Sequence, residues 1–206
     1  MRSGDKVDNR DKNTLSKSSD HIRGNSIKGN SSGDLLTDGI STSKSPFTKP
    51  GTSDSRKGAA NDAIIIRRFK PSDLAGAVDL DNEVFGGYDP SIFIAFYEYH
   101  PGTTLIAEHR GRVVGFVLGF KHTPVEGRVF WLAVRPAYQN SGVGTRLLIA
   151  LLRIFRSMAA ISATLEVRVS NKRAQSLYMT MGFDIVSIYP GYYSDGEAAI
   201  IMKRRL

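Results

Sequence analysis

The chain has 206 residues, 41% of them hydrophobic and 23% charged, a formal net charge of +8 and no cysteine. The length suits one domain with an appendage. The missing cysteine excludes disulfides, a thiolate nucleophile and thiolate metal ligands. No apolar run reaches the roughly 20 residues of a membrane span, and the N-terminus has no apolar signal core. A cytoplasmic protein with no membrane partner is expected.

Residues 1–62 are polar, rich in Ser, Asp, Asn, Gly and Lys, with 11 Lys and Arg against 8 Asp and Glu. Such a segment cannot bury enough apolar surface to offset its chain entropy. It is expected to be a disordered tail, either a linker or a weak tether to RNA or the ribosome. Its charges are mixed rather than blocked, which favours the linker.

From residue 63 the pattern changes, and 63–206 reads as one domain. Ala63 to Phe69 is a β-branched strand. Pro71-Ser72-Asp73 starts a helix carried by Leu74, Ala77, Val78 and Val84. Gly86-Gly87-Tyr88-Asp89-Pro90 breaks it, and Ile92 to Tyr99 is a short second helix. Thr104 to Glu108 and Arg112 to Phe120 form a hairpin around Arg110-Gly111, with Arg128 to Val134 as the next strand. Gly144 to Met158 is a helix whose stripe is Leu147, Leu148, Leu151, Leu152 and Phe155. Thr164 to Val169 is a strand, and Lys172 to Met181 is a helix stopped by Gly182. Phe183 to Tyr189 and Ala198 to Lys203 are strands joined through Asp195-Gly196. The order is β-α-α-β-β-β-α-β-α-β-β, an α/β (mixed α+β) domain with helices on a mixed sheet.

Strand, glycine turn and helix start meet at Gln139-Asn140-Ser141-Gly142-Val143-Gly144-Thr145. Free N–H groups at a helix start and the positive end of its dipole attract phosphate, and glycines let it come close. The P-loop pattern fails for want of its lysine. The dinucleotide fingerprint fails because the turn follows an antiparallel meander. Gln-x-x-Gly-x-Gly remains.

With that loop, two further blocks resemble the GNAT family of N-acetyltransferases. They are Leu165 to Tyr178 with Met181-Gly182-Phe183, and Tyr192 to Arg204. The last is similar to the RimI-type and the archaeal and eukaryotic catalytic-subunit branch of protein N-terminal acetyltransferases. The resemblance covers about residues 63–206 and leaves the tail without a counterpart. It implies the GNAT fold, a mostly antiparallel sheet of about seven strands with about four helices. It also implies transfer from acetyl-CoA to a protein N-terminus by direct attack in a ternary complex, with no metal. Nascent chains or ribosomal proteins would be acceptors, and an auxiliary subunit could assist.

Glu166 is the implied general base, twelve residues before the motif tyrosine, Tyr178, the implied general acid. From the residues alone, Glu166 could equally occupy a solvated strand face or pair with Arg168, and Tyr178 could be a core tyrosine. The strand alternates, with Leu165, Val167 and Val169 opposite Thr164, Glu166 and Arg168. Leu132, Ala133 and Val134 would pair with the pantetheine arm as an added strand does. Gln139, Asn140, Ser141, Gly142, Val143, Gly144 and Thr145 would hold the pyrophosphate. Asn171 would cap its helix and also contact the cofactor. Phe85 and Tyr88 in the first loop, with Tyr192 and Tyr193 in the last hairpin, would wall the acceptor slot. Tyr138 could hold a catalytic water. Gly86-Gly87 stands where some members carry a glutamate, which leaves Glu166 as the main acid–base group. His100, His109 and His122 lack metal-ligand spacing and are expected on the surface. Lysine or small-molecule amines are the alternative acceptors, and an idle CoA- or ribosome-binding module is the alternative outside enzymology.

Overall fold

The structure, a computed structural model, describes residues 63–206. The expected disordered tail lies outside the described residues. The elements are β1 (Ile65–Arg68), a 3-10 turn (Pro71–Asp73), α1 (Leu74–Phe85), α2 (Ser91–Tyr99), β2 (Thr104–His109), β3 (Arg112–Thr123) and β4 (Glu126–Val134). A second 3-10 turn (Pro136–Tyr138) leads to α3 (Val143–Ser157), β5 (Ser162–Arg168), α4 (Lys172–Thr180), β6 (Asp184–Tyr189) and β7 (Ala199–Arg205). Every expected strand and helix is present, with ends moved by up to three residues at most boundaries. The loops and caps account for most of these shifts: α3 starts at Val143 because Gly142 takes a left-handed φ of 81° and serves as its N-cap.

The seven strands form one mixed sheet in the order β1-β2-β3-β4-β5-β7-β6, in which only β4 and β5 run parallel. Alternation sorts the core onto two faces. On one face, α1 and α2 cover an aromatic cluster that includes Leu80, Phe93, Phe96, Phe116 and Leu118. On the other, α3 and α4 cover Val117, Leu147, Leu151, Phe155, Leu165 and Tyr178. Helix α3 lies against bare backbone. A Cβ on Gly119 would sit 2.8 Å from Leu151, and one on Gly127 would sit 2.4 Å from the Phe155 ring. Real carbon contacts do not close to that distance, so glycine is what lets α3 seat on β3 and β4.

One of the sheet's register irregularities lies beside the cleft. Leu118 pairs with Trp131 and Gly119 with Val129, so Phe130 is an extra residue in β4. A bulge bends its strand and sharpens the twist. The pairing of β4 with β5 covers only Glu126–Val129 against Ser162–Leu165. Beyond it, Phe130 to Val134 and Glu166 to Arg168 diverge, and a cleft opens between them. No described helix is long and apolar enough to cross a membrane.

Candidate active site

Two adjoining cavities lie at the divergence of β4 and β5, of about 550 and 620 Å3, both within the range of small-molecule and cofactor sites. They share Leu132, Asn171, Ala174, Tyr178 and, from α1, Val84 and Phe85.

The larger cavity lies at the glycine turn and the start of α3. Ala133, Val134, Gln139, Asn140, Gly142, Val143, Gly144 and Thr145 line it. The loop is held from both sides. Gln139 Nε2 donates to the Val134 carbonyl at 2.8 Å, and Arg173 of α4 donates to the side-chain oxygens of Gln139 and Asn140. Asn140 has φ 62° and Gly142 φ 81°, the left-handed turn that brings the chain round to the start of α3. The first residues of α3 line the cavity, where a helix start has N–H groups without helical partners and the positive end of the dipole. A Cβ on Gly144 would make only ordinary contact with Leu177 and Val134, at 3.6 Å, so the protein itself does not demand glycine there. What the missing Cβ leaves is room for a ligand. Ser141 does not line this cavity, and its hydroxyl donates to the Tyr138 carbonyl at 2.6 Å. The unpaired edge of β4 beyond Val129 offers backbone groups to an extended ligand. Loop, helix start and strand edge together fit a phosphorylated carrier with a long arm.

The smaller cavity holds the titrating groups. Glu166 lies on the strand face opposite Leu165 and Val167, which are buried under the helices. Its partner is Arg128, not the Arg168 that sequence left open. Arg128 Nε and Nη2 both reach Glu166 Oε2, at 3.0 and 2.9 Å. Burial pushes the Glu166 carboxyl above its ordinary value, and Arg128 pulls it only part of the way back. Arg168 instead fastens the final hairpin. It pairs with Asp195 at 2.8 Å and Glu197 at 2.7 Å and lies 3.9 Å from the centre of the Tyr193 ring.

Tyr178 is buried on α4 and lines both cavities. Burial pushes its hydroxyl up to about 12, so it keeps its proton at neutral pH. Asn171 caps α4 by accepting from the Ala174 N–H at 3.0 Å, and the residue borders both cavities.

Phe85, Tyr88, Tyr192 and Tyr193 come together around the smaller cavity as expected, and Arg128 donates to the Tyr192 hydroxyl at 3.3 Å. Trp131 completes this wall, 4.7 Å from the Tyr88 ring and 5.9 Å from Phe85. Tyr138 does not join them. It borders the larger cavity, and its hydroxyl meets His109 Nδ1 at 2.8 Å. Two of the three histidines are only partly exposed. His100 is half-buried, with its ring stacked on Phe120, and His109 is half-buried beside Tyr138; His122 is exposed. Among the described residues no cluster of three or more His, Cys, Asp or Glu side chains is disposed to hold a metal.

Sequence reading missed Arg128, Trp131 and Arg173. Arg128 carried a usable signal, since a cation in a strand beside the cleft must find a partner. Trp131 was hidden by an alternation that the Phe130 bulge breaks.

Comparison with known proteins agrees with this geometry. Residues 74–183 match the acetyltransferase (GNAT) family. The chain is 36% identical over 144 residues to an uncharacterized N-acetyltransferase of Methanocaldococcus jannaschii, covering 69% of this chain and 92% of that one. It is 32% identical to the N-alpha-acetyltransferase RimI of Mycobacterium tuberculosis over 158 residues, 71% of this chain and 95% of that one. The crystal structure of Ard1 from Thermoplasma volcanium superposes with a TM-score of 0.67 at 31% identity, covering 70% of this chain and 98% of that one. The glycine turn at a helix start, the splayed strand pair and these relatives converge on one conclusion: the chain belongs to the GNAT family of acetyltransferases.

Proposed function

We propose that residues 63–206 transfer the acetyl group of acetyl-CoA to the α-amino group of a protein or peptide N-terminus. The observation that carries this reading is the meeting of Glu166 and Tyr178 in one cleft, one carboxyl raised by burial and one phenol kept neutral by it. The N-alpha-acetyltransferase names among its relatives favour the α-amino acceptor.

Acetyl transfer to an amine has two proton requirements. The amine must be neutral to attack, and the departing thiolate needs a proton. An α-amino group has a pKa near 7.7–8.0 and lysine near 10.4, so at about pH 7 deprotonation costs roughly 1.2 kcal/mol for the former and roughly 4.6 for the latter. A carboxylate lifted by burial can meet the first demand, directly or through one water. Glu166 takes the amine proton, and Arg128 keeps enough charge on it to act as a base. Tyr178 gives its proton to the leaving sulfur.

Acetyl-CoA supplies the activated thioester. The Gln139–Thr145 loop and the start of α3 hold its pyrophosphate, Leu132 to Val134 hold the pantetheine arm by backbone pairing, and Asn171 contacts the arm between the cavities. The ring wall of Phe85, Tyr88, Trp131, Tyr192 and Tyr193 orients the acceptor chain. Attack is direct, and catalysis rests on positioning, proton transfer and polarisation of the thioester carbonyl. Nascent or ribosomal protein N-termini are the acceptors in this reading.

Incubation with acetyl-CoA and peptides varied at their first two residues, with mass spectrometry locating the acetyl group, tests the proposal. Acetylation of α-amines is expected. Acetylation confined to internal lysines would overturn it in favour of a side-chain acetyltransferase, and no transfer to any amine would leave a cofactor-binding module.

A further inference from the structure

Helix α1 buries Ala77, Leu80 and Asp81, the spacing of a core-facing stripe, so a carboxyl occupies a position where an apolar side chain is usual. Asp81 is 1% exposed. Its Oδ2 accepts from the Tyr88 backbone N–H at 2.7 Å, and its Oδ1 is buried with no hydrogen-bond partner. An orphaned buried oxygen is costly, and a hydrophobic residue would avoid that cost. The Tyr88 bond is the compensation that the structure offers.

That bond spans a tight chain reversal. Gly86 ends α1 with φ 82° and Gly87 follows with φ 92°. A Cβ on Gly87 would lie 2.3 Å from Asn82 Oδ1, so the loop lies flat on the last turn of the helix. Tyr88, the first residue past the glycines, packs edge-on against Trp131, and Phe85 closes the group 6.1 Å from Tyr88. These rings are one wall of the smaller cavity.

We propose that Asp81 is a positioning residue for the acceptor: its side chain latches the Tyr88 loop against Trp131 and so sets the width of the acceptor slot without touching the substrate. The inference rests on the assignment of the smaller cavity to the acceptor. What the latch needs from Asp81 is an acceptor oxygen, and burial favours the neutral acid. Asp81→Asn retains that oxygen. Asp81→Leu fills similar space but leaves the Tyr88 N–H without a partner, so the loop lifts until water satisfies it.

Trp131 is the one tryptophan of the chain, so its fluorescence reports this wall directly. In the full-length protein, Asp81→Leu is expected to shift Trp131 emission to the red and to raise acrylamide quenching about twofold. It should also raise peptide KM by on the order of tenfold, the value of one modest hydrogen bond, while kcat and the Kd for acetyl-CoA stay near wild type. Asp81→Asn should restore both readouts. Unchanged fluorescence and KM in folded Asp81→Leu would overturn the latch, as would an equal loss of kcat and cofactor binding. Should Asp81→Leu not fold, Gly87→Ala disturbs the same loop, because φ 92° is a backbone conformation that a side chain strains, and an unchanged Trp131 signal there would overturn the proposal. If wild-type protein acetylates no peptide N-terminus, the acceptor assignment fails while the fluorescence comparison still decides the latch.

Discussion

Arg128→Met tests how the base is tuned. Methionine keeps much of the arginine stem and deletes the guanidinium. Both Arg128 and Glu166 are less than a quarter exposed at their side chains, with nitrogens 2.9 and 3.0 Å from Glu166 Oε2, so solvent screens the pair only in part. An opposite charge at this range typically lowers a carboxyl pKa by about one to three pH units. With Arg128 gone, only the weaker pulls of His122 and a backbone hydrogen bond oppose burial, so the Glu166 carboxyl rises further. The sign follows from the role: a base works only when deprotonated, so a higher pKa extends its inactive range upward in pH. In profiles of log kcat/KM against pH, the break assigned to Glu166 should move up by about one to two units, whereas the break from the acceptor amine, near 7.7–8.0, should stay fixed. Below the wild-type break the variant then loses roughly tenfold to a hundredfold, and the two enzymes converge at pH values above the variant's own break. Initial rates on one α-amino peptide across this range, with folding checked by circular dichroism, give the comparison. A uniform loss at every pH, with the break unmoved, would refute the reasoning and assign Arg128 to substrate placement.

Three other outcomes follow from the same geometry. Glu166→Gln should lower kcat by about 10²- to 10⁴-fold near neutral pH, the usual range for a lost general base, with calorimetry giving an unchanged Kd for acetyl-CoA; an unchanged kcat would remove Glu166 from the mechanism. Tyr178→Phe should lower kcat at least about a hundredfold. Because burial lifts the Tyr178 hydroxyl to about 12, wild-type rates should show no falling limb from this group below about pH 10, and such a limb would argue for another acid. Gly127→Ala, whose new methyl would meet the Phe155 ring at 2.4 Å, should cost about 1–3 kcal/mol of stability as overpacking, read as a lower Tm; an unchanged Tm would mean that α3 yields freely.

Local signals carried most of the fold. Period-2 and period-3.6 patterns, with Gly86-Gly87, Gly182 and Asp195-Gly196 as punctuation, located every element because propensity and burial agree along this chain. What pattern could not reveal was long-range. The Phe130 bulge adds one residue and leaves no mark in composition, yet it opens the cleft. The partner of Glu166 lies 38 residues away on β4, while Arg168, two residues along the same strand, looked as plausible. Arg168 reaches the final hairpin instead, because β5 and β7 pair antiparallel and bring Asp195 and Glu197 to its end of the strand. His109 and Tyr138 read as a surface histidine and a water-holding tyrosine, and they satisfy each other. Asp81 is visible in sequence only as one more polar residue on a helix; its missing partner appears once the core is assembled.

The most direct test of the account uses one peptide in two forms, with a free or a formylated α-amine, each carrying an internal lysine. Given acetyl-CoA, the protein should acetylate the free form once, at its α-amine, and leave the blocked form unmodified. Equal acetylation of the two forms at lysine would contradict the assignment of Glu166, Tyr178 and the ring wall to an N-terminal acceptor.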